Sequence, residues 1–494
     1  MAIGKICGIE TEYGIHSSSD HDNAVTLSSL LVNSYVANLE RAGWDFENET
    51  PGNDARGFDA SKGSPPEIET HLINAVLTNG ARYYVDHAHP ELSTPECANP
   101  LELVLYDKAG EEILRRSVAL ANKYYHVDGR ISIIKNNSDG KGNSYGCHEN
   151  YLVAREVPFS RLAKQIMTHL VTRIIMTGAG KVGSEVGSAD SAAPFQLSQR
   201  AEFFEEEIGL ETTLKRPIVN TRDEPHADPA RFRRLHVIVG DANLSEVATF
   251  LKVGTTALVL AMIEDGYLDN SDLSLANPVS AIHQVSLDVS LTRALELANG
   301  STATPLDLQW QLYDLGSTYV DRYGFSVLGD TEVGKDMMHR WESTLAALES
   351  DPMKLARQLD WVAKYQLMQG YMDRHGTGWN DPRLKAIDIQ YHNIDVAKSL
   401  YVRAGLERLV DAEEVARAVM EPPRNTRAYF RGMCLTRFAG NIASANWDSL
   451  VFDLPGGPLR RVPTMDPFKG TAEHVEDLLA TSSDAADLLD RLSR

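Results

Sequence analysis

The chain has 494 residues, of which 43% are hydrophobic, and it carries a formal charge of −21. Because a single hydrophobic core stops growing near ~250–300 residues, this length predicts one large domain and a smaller second one. The negative charge disfavours nucleic acid as a partner, since it would repel a phosphate backbone. Four scattered cysteines, with neither zinc-site spacing nor the density of a disulfide scaffold, favour a reducing cytoplasm.

No stretch of the sequence predicts export or a membrane span. The start, Met-Ala-Ile-Gly-Lys-Ile-Cys-Gly, lacks the apolar core of a signal peptide. The most apolar helical candidate, 251–263, is interrupted by Lys252, Gly254 and two threonines. We therefore expect a protein without a membrane partner.

The first third of the chain mixes strands and helices. Alternation between glycines predicts a strand over 4–15, and helical spacing of apolar residues predicts a helix over 26–41. Residues 44–70 lose this periodicity and hold seven acidic residues against two basic ones, which is typical of a lid, a binding loop or a disordered segment. A helix is predicted over 108–125, with strands at 81–86, 131–135 and 150–155.

The remainder of the chain is richer in helices. Extended runs are predicted at 203–207 and 234–240, and helices at 161–175, 244–264, 306–323, 335–348, 352–373 and 412–420. This order favours an α+β fold over repeated βαβ units. The pair Pro422-Pro423 predicts a boundary between domains at 1–423 and 424–494, and a closing helix is expected over 472–492.

Two carboxylates share one face of the first predicted strand, because side chains at i and i+2 project from the same side. Glu10 and Glu12 would lie side by side, and their mutual repulsion favours a hard cation between them. A solvated strand face is the simpler alternative.

The strand at 81–86 brings a cation, a phenol and a carboxylate to one face, in Arg82, Tyr84 and Asp86. It runs into His87-Ala-His-Pro-Glu91, where Glu91 can complete a magnesium shell. A carboxylate beside an arginine and a metal stays ionised, so Asp86 fits a nucleophile or a general base. An ion pair on an edge strand is the alternative.

Two further strands supply histidines. In Gly146-Cys-His-Glu-Asn-Tyr151, His148 and Asn150 share a face, and His148 is the preferred metal ligand. Cys147 suggests a Cys–His hydrolase, but nothing nearby in the sequence lowers its pKa. His236 fits a second metal, a phosphate or a satisfied core histidine.

The terminal segment offers a nucleotide contact. Arg427 and Arg431 could fork onto phosphate, and Trp447 could stack on adenine, although helix-surface arginines and a core tryptophan are the alternatives. The sequence contains no P-loop, dinucleotide, kinase or Gly-x-Ser-x-Gly signature. Any ATP would therefore have to be held through magnesium on carboxylates.

Four motifs spread over nearly the whole chain resemble those of the Dop/PafA family. They are Gly8-Ile-Glu-Thr-Glu-Tyr-Gly14, Thr78-Asn-Gly-Ala-Arg-Tyr-Tyr-Val-Asp-His-Ala-His-Pro-Glu91, Tyr145-Gly-Cys-His-Glu-Asn-Tyr151 and Ala428-Tyr-Phe-Arg-Gly432. The resemblance implies the fold of glutamine synthetase and glutamate–cysteine ligase. In that fold a curved antiparallel sheet cradles ATP and magnesium, helices pack against it, and a small C-terminal domain lies beside it.

The resemblance also implies roles for individual residues. It implies Asp86 as the catalytic carboxylate. The magnesium ligands that it implies are Glu10, Tyr84 and Glu91, to which the strand patterns add Glu12, His148 and His236. The nucleotide-binding residues that it implies are Arg82, Thr94, Asn150 and Trp447, to which the terminal segment adds Arg427 and Arg431.

Members of this family act on Pup, the prokaryotic ubiquitin-like protein. One branch ligates the C-terminal glutamate of Pup to lysines, and the other deamidates a C-terminal glutamine of Pup and cleaves Pup–lysine isopeptides. The short strand end Asp86-His-Ala-His-Pro-Glu91 and the acidic insertion at 44–70 resemble the hydrolytic branch. The resemblance therefore implies an ATP- and magnesium-dependent hydrolase whose partners are Pup and pupylated proteins.

Two alternatives stay open, a ligase of the Pup–protein or glutamate–cysteine kind and a non-catalytic Pup-binding adaptor. The intact set of carboxylates argues against the adaptor. Because Pup is acidic, the enzyme needs a local basic groove, for which the candidates are Arg231, Arg233 and Arg234.

Overall fold

The computed structural model describes residues 1–19, 22–37, 39–47, 49–58, 73–125, 131–185 and 193–493. The strands of this part of the chain are β1 Cys7–Glu12, β2 Gly14–Ser17, β3 Arg41–Trp44, β4 Asn74–Leu77, β5 Arg82–Asp86, β6 His89–Ser93, β7 Ile131–Ile134, β8 Cys147–Ala154, β9 Lys181–Val182, β10 Phe195–Gln196, β11 Phe204–Gly209, β12 Arg216–Asn220, β13 Phe232–Val237, β14 Leu295–Glu296, β15 Thr302–Ala303, β16 Ile442–Ala445, β17 Ser449–Phe452 and β18 Arg460–Pro463.

The helices are α1 Ala24–Val36, α2 Pro100–Tyr125, α3 Phe159–Thr172, α4 Ile174–Thr177, α5 Glu246–Glu264, α6 Pro278–Leu287, α7 Pro305–Tyr323, α8 Thr331–Ser350, α9 Asp360–His375, α10 Arg383–Tyr391, α11 Leu400–Ala404, α12 Ala412–Ala418, α13 Ala428–Phe438, α14 Ala472–Thr481 and α15 Ala485–Leu492. Long helices and a large sheet confirm the mixed α and β character that the sequence predicts.

A ten-stranded sheet forms the centre of the molecule, in the order β13-β8-β1-β6-β5-β4-β3-β16-β17-β18. Neighbouring strands run antiparallel except β3 and β16, which are parallel, so the sheet is mixed rather than purely antiparallel. The last three strands come from the C-terminal segment, and its apolar residues pack with Ala42, Trp44 and Val76. Residues on both sides of the predicted boundary at 423 thus share one sheet, and the division into domains stays a prediction.

Helix α5 lies in the core of the large helical layer. Among the described residues it is the one helix long and apolar enough to cross a membrane, and its whole apolar window is buried inside the protein. Ser245 caps it by accepting a hydrogen bond from the amide of Ala248. Burial on all sides explains why its sequence is apolar all round.

Several predicted boundaries were wrong. The single strand expected over 4–15 is two strands, because the chain changes sheets at Tyr13 and β2 pairs with β7 instead. The helix expected over 26–41 ends at Val36, and 41–44 forms β3. The closing helix is two helices, since Asp484 caps a new one. Strands β4 and β6 were not predicted.

Candidate active site

Five adjacent strands carry most of the predicted site residues on one face of the sheet; Thr94 follows β6, and Arg427, Arg431 and Trp447 belong to the C-terminal segment. The strand register sets Glu12 opposite Glu91, and Glu91 opposite Tyr84. One row further along, Glu10 lies between Ser93 and His148. Side chains at i and i+2 project from the same side of a strand, so the pairing of β13, β8, β1, β6 and β5 gathers residues that are spread between Glu10 and His236 in the sequence.

The first cluster consists of Glu10, His148 and His236, each of which offers a ligand atom within 4.8 Å of the others. Nδ1 of His148 lies 3.6 Å from a carboxylate oxygen of Glu10. Burial alone would raise the pKa of Glu10, but His148 and the nearby Arg234 guanidinium lower it well below its usual value. Glu10 is therefore a carboxylate.

Asn150 bridges Glu10 and His236. Its Nδ2 donates to Glu10 at 2.9 Å, and since a carboxylate only accepts, the amide oxygen must face the other way. That oxygen lies 3.0 Å from Nδ1 of His236, and a guanidinium nitrogen of Arg234 lies 3.1 Å from the same Nδ1. Burial and the charge of Arg234 lower the pKa of His236 well below its usual value, so the imidazole is neutral. Its Nε2 is buried and has no hydrogen-bond partner among the described residues, and a neutral imidazole is the form that binds a metal ion.

The second cluster consists of Glu12, Asp86 and Glu91, again with ligand atoms within 4.8 Å of one another. Burial and the charges of Asp86, Glu12 and Glu10 raise the pKa of Glu91 well above its usual value. Burial would also raise the pKa of Asp86, but the adjacent His87 lowers it. Three carboxylates this close repel one another in the absence of a cation, so the donor set suits a hard divalent ion.

A cavity beside the first cluster opens to solvent, and about 570 Å³ in and around it, open solvent included, is not filled by protein atoms. Four of the residues expected at a nucleotide line it: Thr94, Asn150, Arg427 and Trp447. Glu10 lines it as well, which connects the cavity to the carboxylates. The hydroxyl oxygen of Thr94 accepts a hydrogen bond from the amide of Ile9 at 3.0 Å, so this side chain also holds the wall together.

Arg431 does not line this cavity. Its guanidinium is buried and pairs with Glu96, and it donates to the carbonyls of Trp447 and Gly80 at 3.1 Å each. Arg427 pairs with the same carboxylate at 2.8 Å but does reach the cavity. Glu96 was not recognised from the sequence, because nothing in Ser93-Thr-Pro-Glu96 indicates that two distant arginines will converge on it.

Arg82 also lies outside the cavity lining, between two aromatic rings. Its guanidinium carbon is 3.9 Å from the ring centroid of Trp44 and 4.1 Å from that of Tyr84. Its Nε donates to Asn74 at 2.8 Å. Tyr84 is buried, and its hydroxyl lies 3.4 Å from Ser93.

Two residues that sequence reasoning did not place in the site also line the cavity, Arg234 and His226. Arg234 is 3.8 Å from carboxylate oxygens of both Glu10 and Glu224. His226 follows the segment Thr221-Arg-Asp-Glu-Pro225 and has a left-handed backbone with φ of 47°. In the sequence, a proline directly before a polar residue was the signal that could have pointed to this position, and the structure adds the strained backbone.

The three arginines considered as a basic groove do not form one. Arg234 points into the site, Arg233 is buried near Asp223, and Arg231 is exposed and paired with Asp466. Strand parity separates Arg233 from Arg234. The groove hypothesis was therefore wrong for this set.

Cys147 faces the side of β8 away from the site. It is 1% exposed, and burial raises the pKa of its thiol. A protonated buried thiol is inert, so the Cys–His hydrolase alternative finds no support.

The insertion at 44–70 is described only up to residue 58; residues 59–72 lie outside the described part. The amide of Thr50 donates to Glu224, and the amide of Ala55 donates to the carbonyl of Thr221 at 2.8 Å. The start of the insertion thus rests on the segment that leads into the cavity wall.

Comparison with known proteins identifies the relatives of this chain. The model of the Pup-ligase protein family matches residues 5–451. A depupylase from Acidothermus cellulolyticus is 49% identical, and a Pup deamidase/depupylase from Mycobacterium tuberculosis is 47% identical, each over 99% of both chains. A Pup–protein ligase from Nocardioides is 40% identical over 84% of this chain and 94% of its own.

Solved structures show the same fold. The complex between Pup and its ligase PafA matches with a TM-score of 0.79 at 30% identity, over 99% of this chain and 94% of that one. PafA in complex with ADP matches with a TM-score of 0.74 at 34% identity, over 82% and 89%. The likeness confirms the α+β fold class.

Proposed function

Because the chain belongs to the Pup-ligase family, we propose that it is a hydrolase that deamidates the C-terminal glutamine of Pup to glutamate and cleaves Pup–lysine isopeptide bonds. One observation favours the hydrolytic branch of the family over the ligase branch. Relatives named as depupylases match the chain from end to end at 47–49% identity, whereas the ligase relative is 40% identical over a shorter stretch. Ligation is the alternative and is not favoured.

The cavity is proposed to bind ATP. A related ligase binds ADP, and here Arg427, Trp447 and Asn150 line a space that leads to Glu10. Guanidinium can pair with phosphate and indole can stack on a purine. Arg431 does not line the cavity but pairs with Glu96, which does, so it supports the cavity wall instead of contacting the nucleotide.

Magnesium fits the residues present. The two clusters supply four carboxylates and two imidazoles, and the orphaned Nε2 of His236 and the mutual repulsion around Glu91 both call for a cation. We assign Glu10, His148 and His236 to one site and Glu12, Glu91 and the neighbouring Tyr84 to the other. A bound divalent ion neutralises such carboxylates and polarises an amide carbonyl.

Asp86 is the proposed catalytic residue. It lies at the end of β5, 41% exposed, and stays ionised beside His87. Its carboxylate either attacks the carboxamide carbon of the Pup glutamine or removes a proton from the water that does so. In the first route an anhydride between Asp86 and the Pup side chain forms as the carbon–nitrogen bond breaks, the leaving nitrogen takes its proton from water, and water then hydrolyses the anhydride to restore Asp86 and release Pup glutamate. In the second route Asp86 passes the proton that it removed from water to the leaving nitrogen as the carbon–nitrogen bond breaks. Ammonia or a lysine amine leaves in both routes.

Arg82 is proposed to stabilise the oxyanion that develops on the carbonyl. It lies on the same strand face as Asp86, four residues earlier, and the aromatic rings on both sides limit its movement. A primary amide and an isopeptide differ only in the leaving nitrogen, so one arrangement serves both reactions. We place this enzyme and its substrates, Pup and pupylated proteins, in the cytoplasm.

Mass spectrometry of Pup ending in glutamine tests the proposal. Incubation with the protein, magnesium and ATP should raise the mass of Pup by about one dalton, the difference between amide and acid, and a pupylated protein should release Pup. In a parallel reaction with Pup ending in glutamate and a lysine-containing acceptor, a new conjugate with steady ADP production would show a ligase instead. If Pup were unchanged in both reactions, the non-catalytic Pup-binding adaptor would be the one remaining hypothesis.

A further inference from the structure

Trp44 joins the nucleotide cavity to the carboxylate clusters. It ends β3, is 6% exposed, and pairs in register with Ala445 of β16. One contact of its ring is the guanidinium of Arg82, at 3.9 Å. Another is the ring of Trp447, an edge-on contact with centroids 5.4 Å apart. Trp447 lines the cavity and Arg82 lies on the strand of Asp86, so this indole touches both halves of the site.

Few direct contacts besides these rings hold Arg82 in place, although its charge also acts on the carboxyl of Glu49. Among the described residues no carboxylate forms an ion pair with it, and its Nε makes one hydrogen bond, to Asn74. A guanidinium with one hydrogen bond is free to change rotamer unless flat surfaces confine it. Trp44 and Tyr84 are those surfaces, and the attraction of a cation to an aromatic face acts at both.

We propose that Trp44 is a positioning residue that fixes Arg82 for the reaction. Because Trp44 also contacts Trp447, it couples the position of Trp447, and hence nucleotide binding, to the position of Arg82. This rests on the proposed function, in which Arg82 stabilises the oxyanion. The hydrogen bond from Nε1 of Trp44 to Glu49 sets the orientation of the indole. The residue therefore acts through Arg82 without touching substrate.

Three variants separate this role from simple core packing. Trp44→Leu keeps an apolar side chain but removes the aromatic face, and should lower kcat for Pup deamidation roughly tenfold. Trp44→Phe restores a face beside Arg82 and should recover most of that loss. Trp310→Leu removes a half-buried tryptophan from α7, away from the site, and should leave kcat unchanged. Melting temperature and ADP affinity report folding for each variant.

A double-mutant cycle gives the decisive measurement. If Trp44 works through Arg82, then Trp44→Leu should change kcat less than twofold in an Arg82→Ala background. The proposal would be overturned if Trp44→Leu lowered kcat by the same factor in the Arg82→Ala background as in the wild type. It would also be overturned if Trp44→Leu and Trp44→Phe had equal kcat. In either case activity of the wild-type enzyme on Pup shows that the proposed function itself holds, whereas an inactive wild type would refute that function first.

Discussion

Arg431 and Glu96 form a buried ion pair that ties the first turn of α13 to the loop after β6. Removing one partner of a buried pair costs about 3–5 kcal/mol when the other charge is left uncompensated, and here Arg427 still pairs with Glu96. Arg431→Gln should therefore lower the free energy of unfolding in urea titrations, by less than that full amount. Arg437→Gln, at an exposed position of the same helix, is the matched control. Equal losses in the two variants would contradict the prediction.

Stability should fall in acid because of Glu96. Burial alone would raise its pKa, but Arg431 and Arg427 hold it at about 2. Since the folded pKa lies below the unfolded one near 4.5, the stabilisation is complete above that value and disappears as pH falls towards 2. At about 1.4 kcal/mol per pKa unit, the loss is about 3 kcal/mol. The difference in unfolding free energy between wild type and Glu96→Gln, measured from pH 5 to 2.5, should shrink accordingly; a constant difference would refute this assignment.

Asp86→Asn should abolish hydrolysis and spare nucleotide binding. Asparagine can neither accept the proton nor attack, and loss of such a group lowers the rate by ~10²–10⁴-fold. Asp86 does not line the cavity, so ADP affinity by calorimetry should stay within a factor of two. Asp373→Asn, on the exposed side of α9, should match wild type in both assays. Retained ammonia release would remove Asp86 from the mechanism.

Chelation should remove activity, and magnesium should raise the melting temperature of the protein without nucleotide. A ligand that binds only the folded state stabilises it. His236→Ala and Glu10→Gln should each reduce this magnesium-dependent rise, because both residues contribute to the first cluster. His339→Ala, at an exposed position of α8, should preserve it. An unchanged rise in the two cluster variants would place the cation elsewhere.

Arg427, unlike its neighbour Arg431, reaches the cavity. Arg427→Lys keeps a charge near Glu96 but loses the planar fork, so ADP affinity should fall about tenfold. Arg431→Lys should change ADP affinity less than twofold. A larger loss in the Arg431 variant would mean that it contacts the nucleotide after all.

Short-range patterns predicted the parts of the site that depend on strand parity. The alternation of Arg82, Tyr84 and Asp86, and of Glu10 and Glu12, does place each set on one face. Convergence over long distances could not be read from the sequence. Neither the pairing of Glu96 with two arginines more than 300 residues away nor the contact of Trp44 with Trp447 leaves a local signal. The breaks at Tyr13 and Ser482 were not predicted, because the apolar periodicity continues through both. At Tyr13 the chain leaves one sheet to pair in another, and after Ser482 a new helix begins at its own cap.

The parallel pairing of β3 with β16 has a consequence for how the chain is made. About 400 residues separate these partners, so during synthesis one edge of the sheet stays unpaired until the final part of the polypeptide leaves the ribosome. An unpaired edge is a template for association with other chains. Newly made molecules should accordingly be most prone to aggregation just before translation ends, and a protein shortened after residue 423 should be recovered mainly as insoluble material.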